Sequence, residues 1–277
     1  MAVINPDSQP TASITAKAAA IEVTENTVHL AIETTGSSGS LAILKGPNVV
    51  SSITMGGETR TAAALAPTLN GLISKANLGL DQIDFVSVAH GPGSFTGLRI
   101  GVTTAKTLCY ARSIPLIAVD SLAAIAATTF YDHASIQRVL VGVNAYRGQV
   151  FTASIARSES QSGSQVEILD QTSVMEQEQW NERLQSIDSQ NVHVVGDQKV
   201  FRKFFEARIA EGAEDDLADR LIERRSVDAV GTGLLGIAGA AQSAFCDPMQ
   251  LVPKYLKVSA AEEKPVSYTH LTLPTKA

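Results

Sequence analysis

The residues of this chain best suited to chemistry crowd into "HGPGSFTGLRIGVTTAK", 90–106. Gly91, Pro92, Gly93, Ser94, Phe95 and Thr96 stand between an apolar strand and the start of a helix. A glycine-rich loop between strand and helix is the shape of a phosphate site, because free amides at a helix start point at an anion. The spacing narrows that reading. Gly93 and Gly97 are separated by three residues, and Leu98-Arg99 stands where a P-loop needs Lys-Ser/Thr. Gly91, Gly93 and Gly97 form G-x-G-x-x-x-G, which is not the dinucleotide fingerprint either. What is left is conformational: Pro92 fixes a turn, Gly91 and Gly93 permit positive φ, and Ser94 is a good N-cap. Two readings stay open, an anion-binding helix start and a tight turn that only caps well.

The helix beyond the loop repeats small residues every four positions, at Gly97, Gly101 and Ala105, with Thr104 beside them. These make one smooth stripe. Glycine inside a helix costs about 1 kcal/mol relative to alanine, so something must approach that backbone closely. It is either the protein's own sheet or a helix of another chain. Glu33-Thr34-Thr35, closing the first strand, offers the other candidate phosphate turn. A true G-x-G-x-x-G occurs at 231–236, but "ERRSVDA" precedes it instead of a strand, so it reads as small residues on a packed helix. No two of His29, His90, His133, His193 and His270 lie three or four apart, so no helical metal pair exists. His29 reads as a core or edge residue, whereas His90 adjoins the loop and is a candidate for function. A G-x-S-x-G nucleophile elbow is absent. Neither a catalytic residue nor a metal ligand is assigned.

Something must position these residues, and 277 residues at 44% hydrophobic content suffice for one large core or two modest ones. Twenty-two basic against 28 acidic residues give a net charge of −6, without the basic footprint of a stand-alone nucleic-acid binder. Cys109 and Cys246 read as reduced structural thiols. No apolar run approaches the ~20 residues of a membrane span. Residues 1–26 lack a continuous apolar core and contain no Arg, so they read as a disordered extension of a cytoplasmic protein rather than a secretory or organelle signal. The end, "VSYTHLTLPTKA", resembles translated vector sequence and is set aside, with 258–277 taken as a tail.

Between these ends, "TVHLAIET", "SLAILKG" and "NVVSSITM" read as a three-stranded meander. An amphipathic helix over 58–78 follows, with Leu65, Leu69, Leu72 and Ile73 on one face and Pro67 inside it. Strand 83–90, helix 95–112, strand 115–119 and helix 121–130 complete a βββαβαβα order. The second half repeats it: a hairpin around "YRG", a third strand in "SGSQVEIL", a helix in "SVMEQEQWNERLQSI", the strand "VHVVG" and the helix "QKVFRKFFEARIA". An acidic solvated run, "EGAEDDLAD", and a small-residue helix over 226–245 follow. The expected fold is therefore α/β and actin-like (ribonuclease-H-like), with two similar βββαβα-type sub-domains at 27–131 and 132–257. The last helix is free to pack back on the first sub-domain.

"GPGSFTGLRIG" (91–101), with "LAIETTGSSGSLAIL" before it and "DPMQLVPKYLK" (247–257) near the end, resembles the TsaB (YeaZ-like) family. That family supplies a subunit of the bacterial machinery making threonylcarbamoyladenosine on tRNA. Three departures stand out: Glu33 replaces an expected Asp, "NAYRGQVF" (144–151) replaces an Asp-Ala-Arg hairpin, and helix 58–78 lacks a His-Ser. The resemblance implies a pseudo-enzyme that needs no cofactor of its own, with ATP or ADP left open at a complex boundary. Glu33, Thr34 and Thr35 together with 91–96 would be a vestigial nucleotide site. By the same resemblance, the partners are a TsaD-type catalytic subunit and a TsaE-type ATPase, tRNA is met through the complex, and the free chain is a homodimer. The docking surface it implies lies on the two domain-one helices. Leu65 and Leu69 are assigned to it on the first, and Gly97, Arg99, Gly101, Thr104 and Ala105 on the second. Two other readings stand beside this one. An active actin-like ATPase or sugar-kinase-like enzyme would use Glu33, Thr34 and Thr35. A metalloprotease is opposed by the missing histidine pair.

Overall fold

In the computed structural model, residues 10–55, 61–158, 165–187, 191–210, 221–223 and 228–257 are described. The first apolar runs form β1 (Val28–Glu33), β2 (Ser40–Lys45) and β3 (Asn48–Thr54), an antiparallel meander. β1 is buried from His29 to Glu33, as a central strand covered on both faces should be, while β3 at the edge is mostly exposed. β4 (Phe85–Gly91) joins β1 in parallel and β5 (Leu116–Asp120) joins β4, giving the order β3-β2-β1-β4-β5.

The second half builds the same sheet again. β6 (Arg138–Tyr146), β7 (Gln149–Ser158) and β8 (Gln165–Ile168) form its meander. β10 (His193–Gly196) and β11 (Leu221–Glu223) add in parallel, giving β8-β7-β6-β10-β11. An extra strand, β9 (Ser173–Glu176), pairs with β7 where the sequence reads the start of a helix. The helix α5 (Gln177–Gln185) begins only after it.

On the first sheet, α2 (Thr61–Lys75) buries Leu65, Leu69, Leu72 and Ile73, the face its spacing predicts, with Pro67 inside the helix. α3 (Phe95–Arg112) follows β4. α4 (Ser121–Asp132) is buried from Ser121 to Phe130 because it lies between the two sheets, touching β4 and β5 on one side and β6, β7 and β10 on the other. One core cluster accordingly holds Phe85 and Val119 together with Val139, Phe151 and Val195. α6 (Gln198–Ala210) and α5 cover the second sheet around Trp180 and Phe201. α7 (Ala229–Ala241), shorter than the expected 226–245, packs on β1, β2, β4, β5 and α4, so the last helix does return to the first half. Its glycines are packing residues. A Cβ on Gly231 would strike the Ala124 carbonyl, and one on Gly236 would lie 2.6 Å from Ser87 Cβ.

Part of the expected disordered extension is helical. α1 (Pro10–Ala20) buries Ile14 to 4% exposure and rests on α3. The acidic run lies at 211–219, outside the described residues, as do 1–9, 56–60 and the tail from 258. No helix among the described residues is long and apolar enough to cross a membrane.

Candidate functional site

The two candidate phosphate turns meet each other. Thr34 and Thr35 leave β1 and cross the first two turns of α3. Thr34 Oγ1 donates to the Gly97 carbonyl at 2.7 Å, and the Ser94 amide donates to the Thr35 carbonyl at 2.8 Å. The glycines make this crossing fit. A Cβ on Gly97 would collide with the Thr34 carbonyl, one on Gly101 with Thr34 Oγ1, and one on Gly93 would lie 2.5 Å from Thr35 Cβ. Ser94 caps α3 as expected, its Oγ accepting from the Gly97 amide at 3.3 Å.

This overturns the outward reading of the stripe. Gly97, Gly101 and Ala105 are buried inside the chain, as are Leu65 and Leu69. A partner cannot lie against residues that Thr34 and the sheet already cover. Of the residues assigned to docking, Arg99 is exposed and Thr104 half-buried. The outward face of α3 instead carries Thr103, Thr107 and Tyr110.

The same crossing takes up amides that a phosphate could use. The Thr35 amide donates to Glu33 Oε1, the Ser94 amide to Thr35 and the Gly97 amide to Ser94. Glu33 is fully buried, and desolvation pushes its carboxyl up to about 7 against the pull of bonds from Thr35, with Asp228 adding repulsion. Asp228 caps α7, accepting from the Gly231 amide at 3.1 Å and from Thr128 Oγ1 at 3.0 Å. Three amides around the turns are thus spent within the chain, and the Glu33 carboxyl is buried.

From the other side, the C-terminal segment 251–257 closes over the loop. The Lys254 amide donates to the His90 carbonyl at 2.7 Å. Gly91, at φ +128, has no room for a Cβ, which would lie 2.5 Å from the Lys254 carbonyl. Pro92 is buried beside it, and Thr96 is exposed. Phe95 meets Tyr255 at 4.7 Å between centroids and carries the Arg99 guanidinium 4.0 Å above its ring.

Asp120, which sequence reasoning missed, ties three parts of the molecule together. Its Oδ1 caps α4 through the Leu122 and Ala123 amides at 2.9 and 3.2 Å. Its Oδ2 accepts from Thr172 Oγ1 at 3.1 Å and Lys254 Nζ at 2.9 Å. The signal was an Asp directly before the Ser-Leu helix, which announces the cap but not its partners. Lys257 was missed as well; its Nζ donates to the Ala145 carbonyl at 2.9 Å, binding the segment to the β6–β7 turn.

Two histidines, His29 and His90, hold backbone carbonyls. His29 is buried and stacks on Phe85 at 4.5 Å, with Nε2–H donating to the Gly233 carbonyl at 3.0 Å. Burial holds it down at about 4, so it is neutral. His90 Nδ1 lies 2.9 Å from the Val119 carbonyl, which only accepts, so the proton sits on Nδ1. Both cysteines are free thiols, and burial pushes each of them up. Among the described residues no three His, Cys, Asp or Glu side chains group as metal ligands.

Known proteins resemble this geometry. Residues 58–264 match the family described as TsaD, tRNA N6-adenosine threonylcarbamoyltransferase. The tRNA threonylcarbamoyladenosine biosynthesis protein TsaB of Haemophilus influenzae is 28% identical over 50% of this chain and 58% of its own length. For TsaB of Bacillus subtilis the figures are 33%, 44% and 52%, so the chain spans just over half the length of these curated relatives. YeaZ from Pseudomonas aeruginosa shares the fold, with a TM-score of 0.66 at 21% identity over 83% of this chain and 100% of that one. The two-sheet topology above and this likeness make the fold actin-like. The chain belongs to the family described as TsaD, tRNA N6-adenosine threonylcarbamoyltransferase, and within it is TsaB/YeaZ-like.

Proposed function

We propose that this chain is a non-catalytic scaffold and activator subunit in tRNA threonylcarbamoyladenosine biosynthesis. It binds a TsaD-type catalytic subunit, which modifies adenosine in tRNAs reading codons that start with A. One observation carries the reading: the two turns of the first half that could hold a phosphate, after β1 and after β4, are fastened to each other by Thr34, Thr35 and Ser94. The names of the relatives supply the pathway. Docking falls to the outward face of the first half, where Thr103, Thr107 and Tyr110 of α3 are exposed. A TsaE-type ATPase joins the complex, the free chain pairs with itself in the cytoplasm, and ATP or ADP belongs to a subunit boundary rather than to this chain.

Two measurements test this. A pull-down from the native organism should recover the TsaD-type subunit. The isolated chain should turn over neither ATP nor threonylcarbamoyl groups. ATP turnover abolished by Glu33→Ala would instead establish an active actin-like ATPase.

A further inference from the structure

Although the chain is acidic overall, five cations and two exposed tyrosines form one connected strip. Arg99 and Lys106 stand seven residues apart on α3, two helical turns and so on one face. Both reach the C-terminal segment: Arg99 Nε donates to the Tyr255 hydroxyl at 3.3 Å, and Lys106 Nζ donates to the Leu251 carbonyl at 2.8 Å. The segment continues through Lys254 to Lys257, whose Nζ reaches the carbonyls of the β6–β7 turn. There Arg147 lies close enough to help desolvation hold the Lys257 ammonium below its ordinary range. Two acids offset part of the strip: Asp120 pairs with Lys254, and Glu176, which accepts from Gln149 at 2.6 Å, faces Lys257.

The turn itself is costly. Tyr146 and Arg147 both take left-handed conformations, at φ +61 and +55. The two residues of the turn proper are Arg147 and Gly148, with Gly where the favoured Asn-Gly turn has it, and Tyr146, paired with Gln149 at the end of β6, is the bulky left-handed residue under strain. Asn144 steadies it, its Oδ1 accepting from the Tyr146 amide at 2.8 Å. Yet the Tyr146 ring is 63% exposed and buries little in return. Strained backbone conformations cluster at functional sites, and Tyr255, 41% exposed, offers a second ring along the strip.

We infer that this strip, from Lys106 and Arg99 through Tyr255 and Lys257 to Tyr146 and Arg147, binds an unpaired segment of RNA. Cations track the phosphates and the tyrosine rings stack on bases. The inference rests on the proposed function for the identity of that RNA, a loop of the tRNA substrate, and gives the chain a direct contact with it.

The test is a fluorescence-anisotropy titration of a labelled tRNA transcript at several salt concentrations. It is run on the isolated chain and on its mixture with the TsaD-type subunit, with assembly followed by gel filtration. Arg147→Glu and Arg99→Glu should each weaken binding roughly tenfold and make the salt slope shallower by about one. Tyr146→Ala should weaken it about fivefold or more without moving that slope. Lys45→Glu, an exposed charge at the opposite end of the first sheet, should leave affinity nearly unchanged. Strip variants that behave like Lys45→Glu overturn the inference, as does loss of assembly in place of RNA binding. Assembly with normal tRNA affinity in the variants removes the strip and leaves the proposed function standing. Strip-dependent RNA binding without assembly does the reverse.

Discussion

The β1–β2 and β6–β7 turns occupy the same place in two sheets of the same strand order, and they have become opposites. After β1 the chain takes six residues, Thr34–Gly39, to reach β2, and it uses them to clamp α3 through Thr34 and Thr35. After β6 it turns at once, and Tyr146 and Arg147 point into solvent. The first turn is lined by glycines because backbone crosses backbone. In the second, Gly148, at φ +76, has nothing within 4 Å of where its Cβ would be. Repeated topology therefore fixes where a site can be, while the residues at each turn decide whether it is sealed or presented.

The most damaging single change should be Gly97→Ala. The added Cβ meets the Thr34 carbonyl, which is backbone and cannot swing aside. Overpacking of this kind costs about 1–3 kcal/mol, and here the top of that range is expected, because the Thr34 bond to the Gly97 carbonyl is strained as well. Urea unfolding measures it. A loss under about 1 kcal/mol would mean that the turn yields easily and that the first site is less sealed than its contacts indicate.

Glu33 gives the next effect, and pH exposes it. Its folded value near 7 lies above the ordinary 4.5, so between these limits the folded state holds the proton more tightly. Stability from this group falls as pH rises through that window and stays low above it. The contribution is about 3 kcal/mol. His29 acts in the opposite sense: held near 4 against an ordinary 6.5, it adds stability as pH rises through 4 to 6.5. The two nearly cancel below pH 6.5. Glu33→Gln should stabilise the protein above pH 7 and unmask the rising limb from His29. Parallel stability profiles for wild type and variant would show that Glu33 does not titrate in this range.

Much of this was legible in the sequence and some of it could not be. Leu65, Leu69, Leu72 and Ile73 announce the buried face of α2 because a helix repeats every 3.6 residues. The 138–156 hairpin and the Ser94 cap were also readable, since their signals are local. The stripe at Gly97, Gly101 and Ala105 was visible as a stripe, but spacing cannot say what faces it. The answer, Thr34, lies 63 residues earlier. Asp120 likewise meets Lys254 across 134 residues. β9 was hidden because Met175 and Glu176 suit a helix, and only pairing with β7 holds them extended. α1 escaped because an Ala- and Thr-rich segment carries one useful apolar anchor, Ile14.

Gly148→Ala should have the smallest effect of the three, and it sharpens the contrast with Gly97→Ala. Both add the same methyl group, one on the helix that the β1–β2 turn crosses and one in the β6–β7 turn. At Gly148 the space is open and only the left-handed backbone resists. An L-residue there costs roughly 1 kcal/mol, partly offset because alanine loses less chain entropy than glycine on folding. Stability should therefore fall by about 1 kcal/mol or less. Tyr146 and Arg147 stay presented if Asn144 and Lys257 hold the turn, so tRNA affinity should not change. A loss of binding with the fold intact would show that the exact course of the turn, and not just its charge and rings, positions the RNA.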